Sequence, residues 1–247
     1  MMKLRLNNIK IVILDIGKTI FDKEKQLTIS DKTKSVLKKI KDSNIKVGLC
    51  TMRTIKECKE LVPFELDFYI CLNGAFVMCD NKVVNNLRIT NQFYGQNILS
   101  YSKNQTYYNN SKALKLARKN GFSAKKKGFM KKPYVITIFN ININEINNYK
   151  NIYSVSYWEN TKTMTLQSKE CNKVNAIKNV LNYYNIKSDE MLFFGDGPND
   201  FEVFNSFKYT IMMKNGHPML KEYSYDVCGE CIEDGVCNYL EQNLKFF

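Results

Sequence analysis

The chain has 247 residues, 44% of them hydrophobic, which suits one large domain or two modest ones and excludes an intrinsically disordered protein. Its formal charge is +13, and no apolar run approaches the length of a membrane helix. A soluble, cytoplasmic protein is therefore expected, with the opening Met1–Arg5 leading straight into a strand.

In chain order, the first apolar run predicts a buried strand over Lys10–Leu14, ending at Asp15. Ser30 stands where a helix N-cap is wanted, and Val36, Leu37 and Ile40 follow at helical spacing. Asn44 suits a left-handed residue after that helix. A second strand over Ile45–Cys50 ends at Thr51, a helix follows, and a third strand over Phe68–Cys71 leads to Asn73-Gly74-Ala75. This βαβαβ order predicts a parallel sheet with right-handed crossovers.

The rhythm changes from about Phe76 to Gln167. Hairpin-like pieces are expected at Ala75–Cys79 and Lys82–Arg88, a helix near Ser111–Asn120, and strands at Tyr134–Phe139, Tyr153–Trp158 and Thr163–Gln167. This reads as an α+β insertion over 79–167, splitting a core of 1–78 and 168–247. The parallel rhythm resumes with a helix over Lys173–Tyr184. The apolar strand Met191–Phe194 then closes on Gly195-Asp196-Gly197-Pro198-Asn199-Asp200, and a further strand covers Tyr209–Met213.

The eight cysteines lack a secretory context and are expected as reduced thiols. Cys228, Cys231 and Cys237 have no second pair or histidine to complete a zinc set. The single histidine, His217, argues against a Ser-His or Cys-His triad. No acidic residue lies between Asp80 and Glu145, whereas Lys125, Lys126, Lys127, Lys131 and Lys132 crowd one loop. No recognised nucleic-acid motif accompanies this charge, so a nucleic-acid partner is not expected, and neither is a membrane. The sequence sets no oligomeric state.

In a doubly wound sheet, ligands bind beyond the carboxyl ends of the strands. Asp15, Thr51 and Asp196 each end a strand, and Lys173 opens the helix leading to the last of these. Asp15 and Asp196 can hold Mg2+, which prefers hard oxygen ligands. Asp15 is then placed to attack phosphorus, Thr51 to bind phosphate oxygens and Lys173 to supply fixed positive charge. Asn199 and Asp200 can orient the metal's waters and Lys173.

Asp15-Ile16-Gly17-Lys18-Thr19 resembles the first motif of the haloacid dehalogenase superfamily, Asp-x-Asp-Gly-Thr. Gly195–Asp200 resembles its fourth motif, and Lys173 suits the third. Thr51-Met52-Arg53, Asn73-Gly74-Ala75 and Met213-Lys214-Asn215-Gly216 resemble motifs of its Cof-type branch. The resemblance covers the whole chain in order. It implies a Rossmann-like core with an inserted C2-type cap that closes over the site and selects the substrate. It also implies magnesium on Asp15, the Gly17 backbone carbonyl, Asp196 and Asp200, phosphate at Thr51, Met52, Lys173 and Asn199, and substrate or cap contacts at Arg53, Asn73 and Gly74.

Three residues depart from the pattern. Gly17 replaces the aspartate that serves the family as general acid/base, Lys18 replaces a turn glycine, and Met52 replaces a glycine beside Thr51. The expectation is a magnesium-dependent phosphatase of a small phosphorylated metabolite, working through an aspartyl-phosphate on Asp15 and slowed by the lost carboxylate. The alternative is a catalytically impaired phosphate-binding or regulatory protein on the same scaffold. A positive cap would suit a polyanionic substrate, and a merely solvated lysine-rich face is the equal alternative.

Overall fold

The structure is a computed structural model describing residues 8–91, 93 and 96–244, so the opening Met1–Arg5 lies outside the described residues. The chain runs β1 (Ile11–Leu14), α1 (Asp31–Asp42), β2 (Lys46–Cys50), α2 (Ile55–Leu61), β3 (Phe68–Cys71), β4 (Phe76–Cys79) and β5 (Lys82–Asn86). A second set follows: β6 (Asn97–Tyr101), β7 (Thr106–Tyr108), α3 (Ser111–Lys119), β8 (Lys126–Lys127), β9 (Val135–Phe139), α4 (Asn147–Lys150), β10 (Tyr153–Trp158) and β11 (Thr163–Ser168). The chain then returns through α5 (Lys173–Tyr184), β12 (Met191–Gly195), α6 (Phe201–Ser206), β13 (Thr210–Met213), β14 (Asp226–Cys228) and α7 (Gly235–Asn243).

The core sheet has the order β14-β13-β12-β1-β2-β3-β4-β5. Its strands are parallel from β14 to β3, and β4 and β5 are antiparallel additions at one edge. Buried on both faces, the central strands must be apolar at every position, and β1 and β12 are fully buried. Alternate residues feed opposite cores. Val12 and Leu14 pack with Val36, Leu37 and Ile40 of α1 and with Val236 and Leu240 of α7. Ile11 and Ile13 pack with Val174, Ile177 and Val180 of α5 and with Phe204 of α6. Each such fully buried side chain contributes about 2 kcal/mol of transfer free energy.

Local signals agree with these elements. The Ser30 hydroxyl caps α1 by accepting the Thr33 N–H, and Asn44 after it has φ 65°. Thr54 and Glu57 form a reciprocal capping box at the start of α2.

The second sheet has the order β10-β11-β9-β6-β7-β8. One of its faces buries Ile98, Ile136, Ile138, Met164 and Leu166 in a separate core. The other face, with Leu99, Tyr101, Val135, Phe139 and Ala117 of α3, is continuous with a main-domain core. The hairpin β4–β5, expected from the change of rhythm to begin the insertion, instead extends the core sheet through β3. Inserted structure therefore separates from the core after Asn86 rather than at 79, because a hairpin pattern does not say which sheet its strands join.

Candidate active site

Every central parallel strand delivers its last residues to one edge of the sheet. Asp15 follows β1, Thr51 follows β2 and Asp196 follows β12, while Lys173 is the first residue of α5. Asp15, Thr51 and Asp196 line a cavity of about 630 Å³, together with Gly17, Lys18, Met52, Arg53 and Asn199. Asp15 and Thr51 are buried beneath it.

Lys173 sits behind this floor rather than in the cavity lining. Its Nζ donates to Asp15 Oδ1 at 2.9 Å and to Asp200 Oδ1 at 2.6 Å. Asp200 is fully buried, and its Oδ2 accepts the backbone N–H groups of Asp196 and Gly197, both at 3.2 Å. Gly195 makes this possible, because a Cβ there would fall 2.6 Å from Asp200 Oδ2. Asp200 thus fixes the Asp196 loop to the lysine, and the lysine fixes Asp15. Thr19 Oγ1 also donates to Asp196 Oδ1, at 3.4 Å.

Ligand oxygens of Asp15, Asp196 and Asp200 lie within 4.8 Å of one another. Three carboxylates against one ammonium leave two negative charges uncompensated in a largely buried cluster. Desolvation pushes the Asp15 carboxyl up to about 6 despite the opposing Lys173 charge. Desolvation, with Asp15 and Asp200 adding to it, pushes Asp196 up to about 7. Burial disfavours the Lys173 ammonium, but the fields of Asp15 and Asp200 outweigh that and hold it above its ordinary value. An all-oxygen donor set short of two positive charges fits a hard divalent cation.

The first-motif turn is built differently. The Ile16 carbonyl accepts the N–H groups of Thr19, Ile20 and Phe21, and the Lys18 N–H donates to the Phe21 carbonyl at 2.9 Å. Lys18 takes φ 53°, a left-handed conformation that costs a side chain about 1 kcal/mol. Gly17 has no such need. A Cβ there would meet only Asp15 Oδ2, at 4.0 Å, so the backbone leaves room for the side chain this position lacks. No hydrogen bond among the described residues engages the Gly17 carbonyl.

Two expected substrate residues do not reach the cavity. Asn73 has φ 53°, and its N–H donates to the Thr51 carbonyl at 3.0 Å, so it holds the Thr51 loop from behind. Gly74 has φ 99° and faces α5, where a Cβ would fall 2.6 Å from the Asn172 carbonyl oxygen and 2.8 Å from Ala176 Cβ. Its glycine serves close packing. Arg53 does line the cavity, with its guanidinium 5.4 Å from the centre of the Phe21 ring.

Asn215, just after β13 and given no role from sequence, clamps the first-motif turn. Its Nδ2 donates to the Lys18 carbonyl at 2.8 Å, and its Oδ1 accepts the Cys231 N–H at 2.8 Å. Only its place in the Met213–Gly216 motif could have flagged it.

The insertion contributes Tyr101, Thr106, Gly121, Phe122 and Ser123 to the cavity, and none carries a charge. The lysines of the 125–132 segment are exposed and are not among the lining residues. The cavity's cations are Lys18, Lys23 and Arg53, all from the core. A positive cap wall for a polyanion is thus not what this cavity presents.

The family model of the haloacid dehalogenase-like hydrolases matches residues 12–240. The chain belongs to that family. The hydrolase is 27% identical over 269 residues to a protein of Buchnera aphidicola subsp. Baizongia pistaciae named "Putative phosphatase", covering 94% of this chain and 97% of that one. A match to a Mycoplasma pneumoniae protein of the same name, 29% identical, covers 38% of this chain but only 34% of that one. The fold is that of a haloacid dehalogenase-like hydrolase from Bacteroides thetaiotaomicron, with TM-score 0.81, 17% identity and coverage of 95% and 99% of the two chains. It is also that of the subclass IIB sugar phosphatase BT4131, with TM-score 0.75, 19% identity and coverage of 94% and 98%. Among the described residues, no helix is long and apolar enough to cross a membrane.

Proposed function

We propose that this hydrolase is a magnesium-dependent phosphatase of a small phosphorylated metabolite, acting through an aspartyl-phosphate on Asp15 and slowed by the absence of a carboxylate at Gly17. The observation that carries the reading is the Asp15–Lys173–Asp200 array at the floor of a metabolite-sized cavity. A buried carboxylate held at one oxygen by a lysine keeps its other oxygen free to attack. Asp15, Asp196 and the Gly17 carbonyl would hold the metal, with Asp200 behind them. Magnesium, when bound, supplies the positive charge that screens Asp15 from an incoming phosphate.

The chain's own groups then divide the work. Thr51 and Asn199 bind phosphate oxygens at the cavity wall, beside Met52. Lys173 orients the Asp15 carboxylate through the oxygen that does not attack and offsets charge on the transferring group. Gly17 can neither protonate the leaving oxygen nor activate water, help that is worth about 10²–10⁴-fold elsewhere.

Hydrolysis of p-nitrophenyl phosphate and of a metabolite panel with magnesium, beside Asp15→Asn, tests this. Turnover that survives Asp15→Asn unchanged contradicts it. The departures Gly17, Lys18 and Met52 favour a second reading, a phosphate-binding or regulatory protein that has given up turnover. Tight phosphate binding with no Asp15-dependent hydrolysis of any ester selects that reading.

A further inference from the structure

Resting on the phosphoryl-transfer reading above, we infer that the substrate is an aryl or heteroaryl phosphate, a phosphate ester of a planar ring whose oxygen leaves as a stabilised anion. Two separate features of the cavity point to this. The first is its insertion-side wall, where Phe122 and Tyr101 meet Phe21 and Met52 of the core. The Phe122 ring is locked edge-on against Phe139, with centroids 5.6 Å apart and planes at 75°. Arg53 fixes the Phe21 ring from above. Such rings favour stacking or edge contacts with another ring. A polyol would need several buried donors and acceptors, and the side chains able to supply them on this wall are Thr106, Ser123 and Tyr101.

The second feature is the missing acid. Gly17 offers no proton beside Asp15. Of the other carboxylates lining the cavity, Asp196 belongs to the proposed metal site, and Glu57, Asp22 and Glu24 are hydrogen-bonded within their own turns or exposed. Glu57 Oε2 accepts the Thr54 N–H and hydroxyl at 2.9 and 2.7 Å. Asp22 Oδ1 accepts the Glu24 N–H at 3.1 Å, closing its own turn, and Glu24 is exposed. The position beside Asp15 thus supplies no acid to the leaving oxygen, which favours a substrate that leaves without one.

An aryl phosphate does so. An Asp15 oxygen bonds to phosphorus, the phosphorus–aryloxide bond breaks, and its electron pair departs with the aryloxide, where the ring delocalises it. Lys18 and Lys23 supply positive charge to the same cavity. Water then attacks phosphorus, the bond to the Asp15 oxygen breaks, and Asp15 returns as carboxylate. The water's proton passes to the aryloxide or to solvent. An alkyl ester would have to expel a strongly basic alkoxide.

The test is a leaving-group series with the magnesium-loaded protein: 4-nitrophenyl, phenyl and pyridinyl phosphates against glycerol 3-phosphate and a hexose 6-phosphate. Wild type is expected to favour the aryl esters in kcat/KM by about 10³-fold, and Gly17→Asp to shrink that gap by about tenfold or more. Phe122→Ala is expected to raise KM for phenyl phosphate roughly fivefold, a larger factor than for acetyl phosphate, which is activated but has no ring. Binding to Asp15→Asn, followed by calorimetry, separates recognition from chemistry. Phenyl phosphate should bind that variant about tenfold more tightly than glycerol 3-phosphate. Ring-selective binding with no wild-type turnover would sink the phosphatase reading and leave the ligand class standing. Equal turnover of alkyl and aryl esters by wild type, or equal binding of both by Asp15→Asn, overturns the inference.

Discussion

The two walls of phosphate chemistry in this hydrolase are built to different standards. On one side, Lys173, Asp200 and the Asp196 loop form a closed array in which both Asp200 oxygens and the lysine are engaged by the protein. On the other, the Gly17–Lys18 turn holds a strained lysine and an open space where a carboxylate would fit. The difference separates holding a nucleophile from assisting a leaving group. The first demands rigid, buried, mutually satisfied charges. The second can be dispensed with when the substrate is activated, and on the function proposed above Gly17 leaves it out at a position where the backbone has room for a side chain.

The strongest attack on the comparison is Asp15→Asn, which should lower turnover by on the order of 10⁴–10⁶-fold, as removal of a nucleophile does elsewhere. Steady-state kinetics with magnesium checks this. Gly17→Asp tests the open side. If space is all that is missing, activity on alkyl phosphates should rise by about 10²–10⁴-fold, with thermal stability near wild type. No gain would show that the turn has drifted too far to accept its acid.

Lys173→Met probes the closed side by leaving Asp15 and Asp200 buried without their cation. Urea unfolding should show a loss of about 3–5 kcal/mol, against almost none for an exposed lysine such as Lys126. The metal-free protein should also show a pH signature. Asp15 and Asp196 titrate near 6 and 7 when folded, above their ordinary 3.8. The folded state therefore holds more protons than the unfolded one through that window, and stability falls as pH rises across it. Tm without metal should be lower at about pH 8 than at about pH 5, and magnesium should restore more of it at the higher pH. The smallest effect is expected at Lys18→Gly, which relieves φ 53° and should stabilise the fold by about 1 kcal/mol while weakening turnover of aryl esters.

Much of this was legible in the chain. Parallel strands buried on both faces leave continuous apolar runs, so β1, β3 and β12 and the residues that follow β1 and β12, Asp15 and Asp196, could be located directly. The N-cap Ser30 and the left-handed Asn44 were readable because each answers a local backbone demand. What escaped depends on long-range partners. β6, β7 and β14 are short and carry weak alternation. The β4–β5 hairpin gives no sign of which sheet it extends. Gly74 looks the same whether it admits a ligand or a helix, and only the approach of Asn172 and Ala176 decides between them. The lysine run left a positive cap and a merely solvated face both open, because charge along a sequence does not say which side chains line a cavity; Phe122 and Ser123 do so while Lys125–Lys127 are exposed outside it.

The central claim is that Asp15 still carries a phosphoryl group even though its partner acid is gone. Borohydride reduction of the protein during magnesium-dependent turnover of p-nitrophenyl phosphate converts an acyl phosphate into an alcohol, and mass spectrometry of the peptide bearing residue 15 reads the result. The account predicts homoserine at position 15. An unmodified Asp15 in protein caught during turnover, or the label on another side chain, would contradict it.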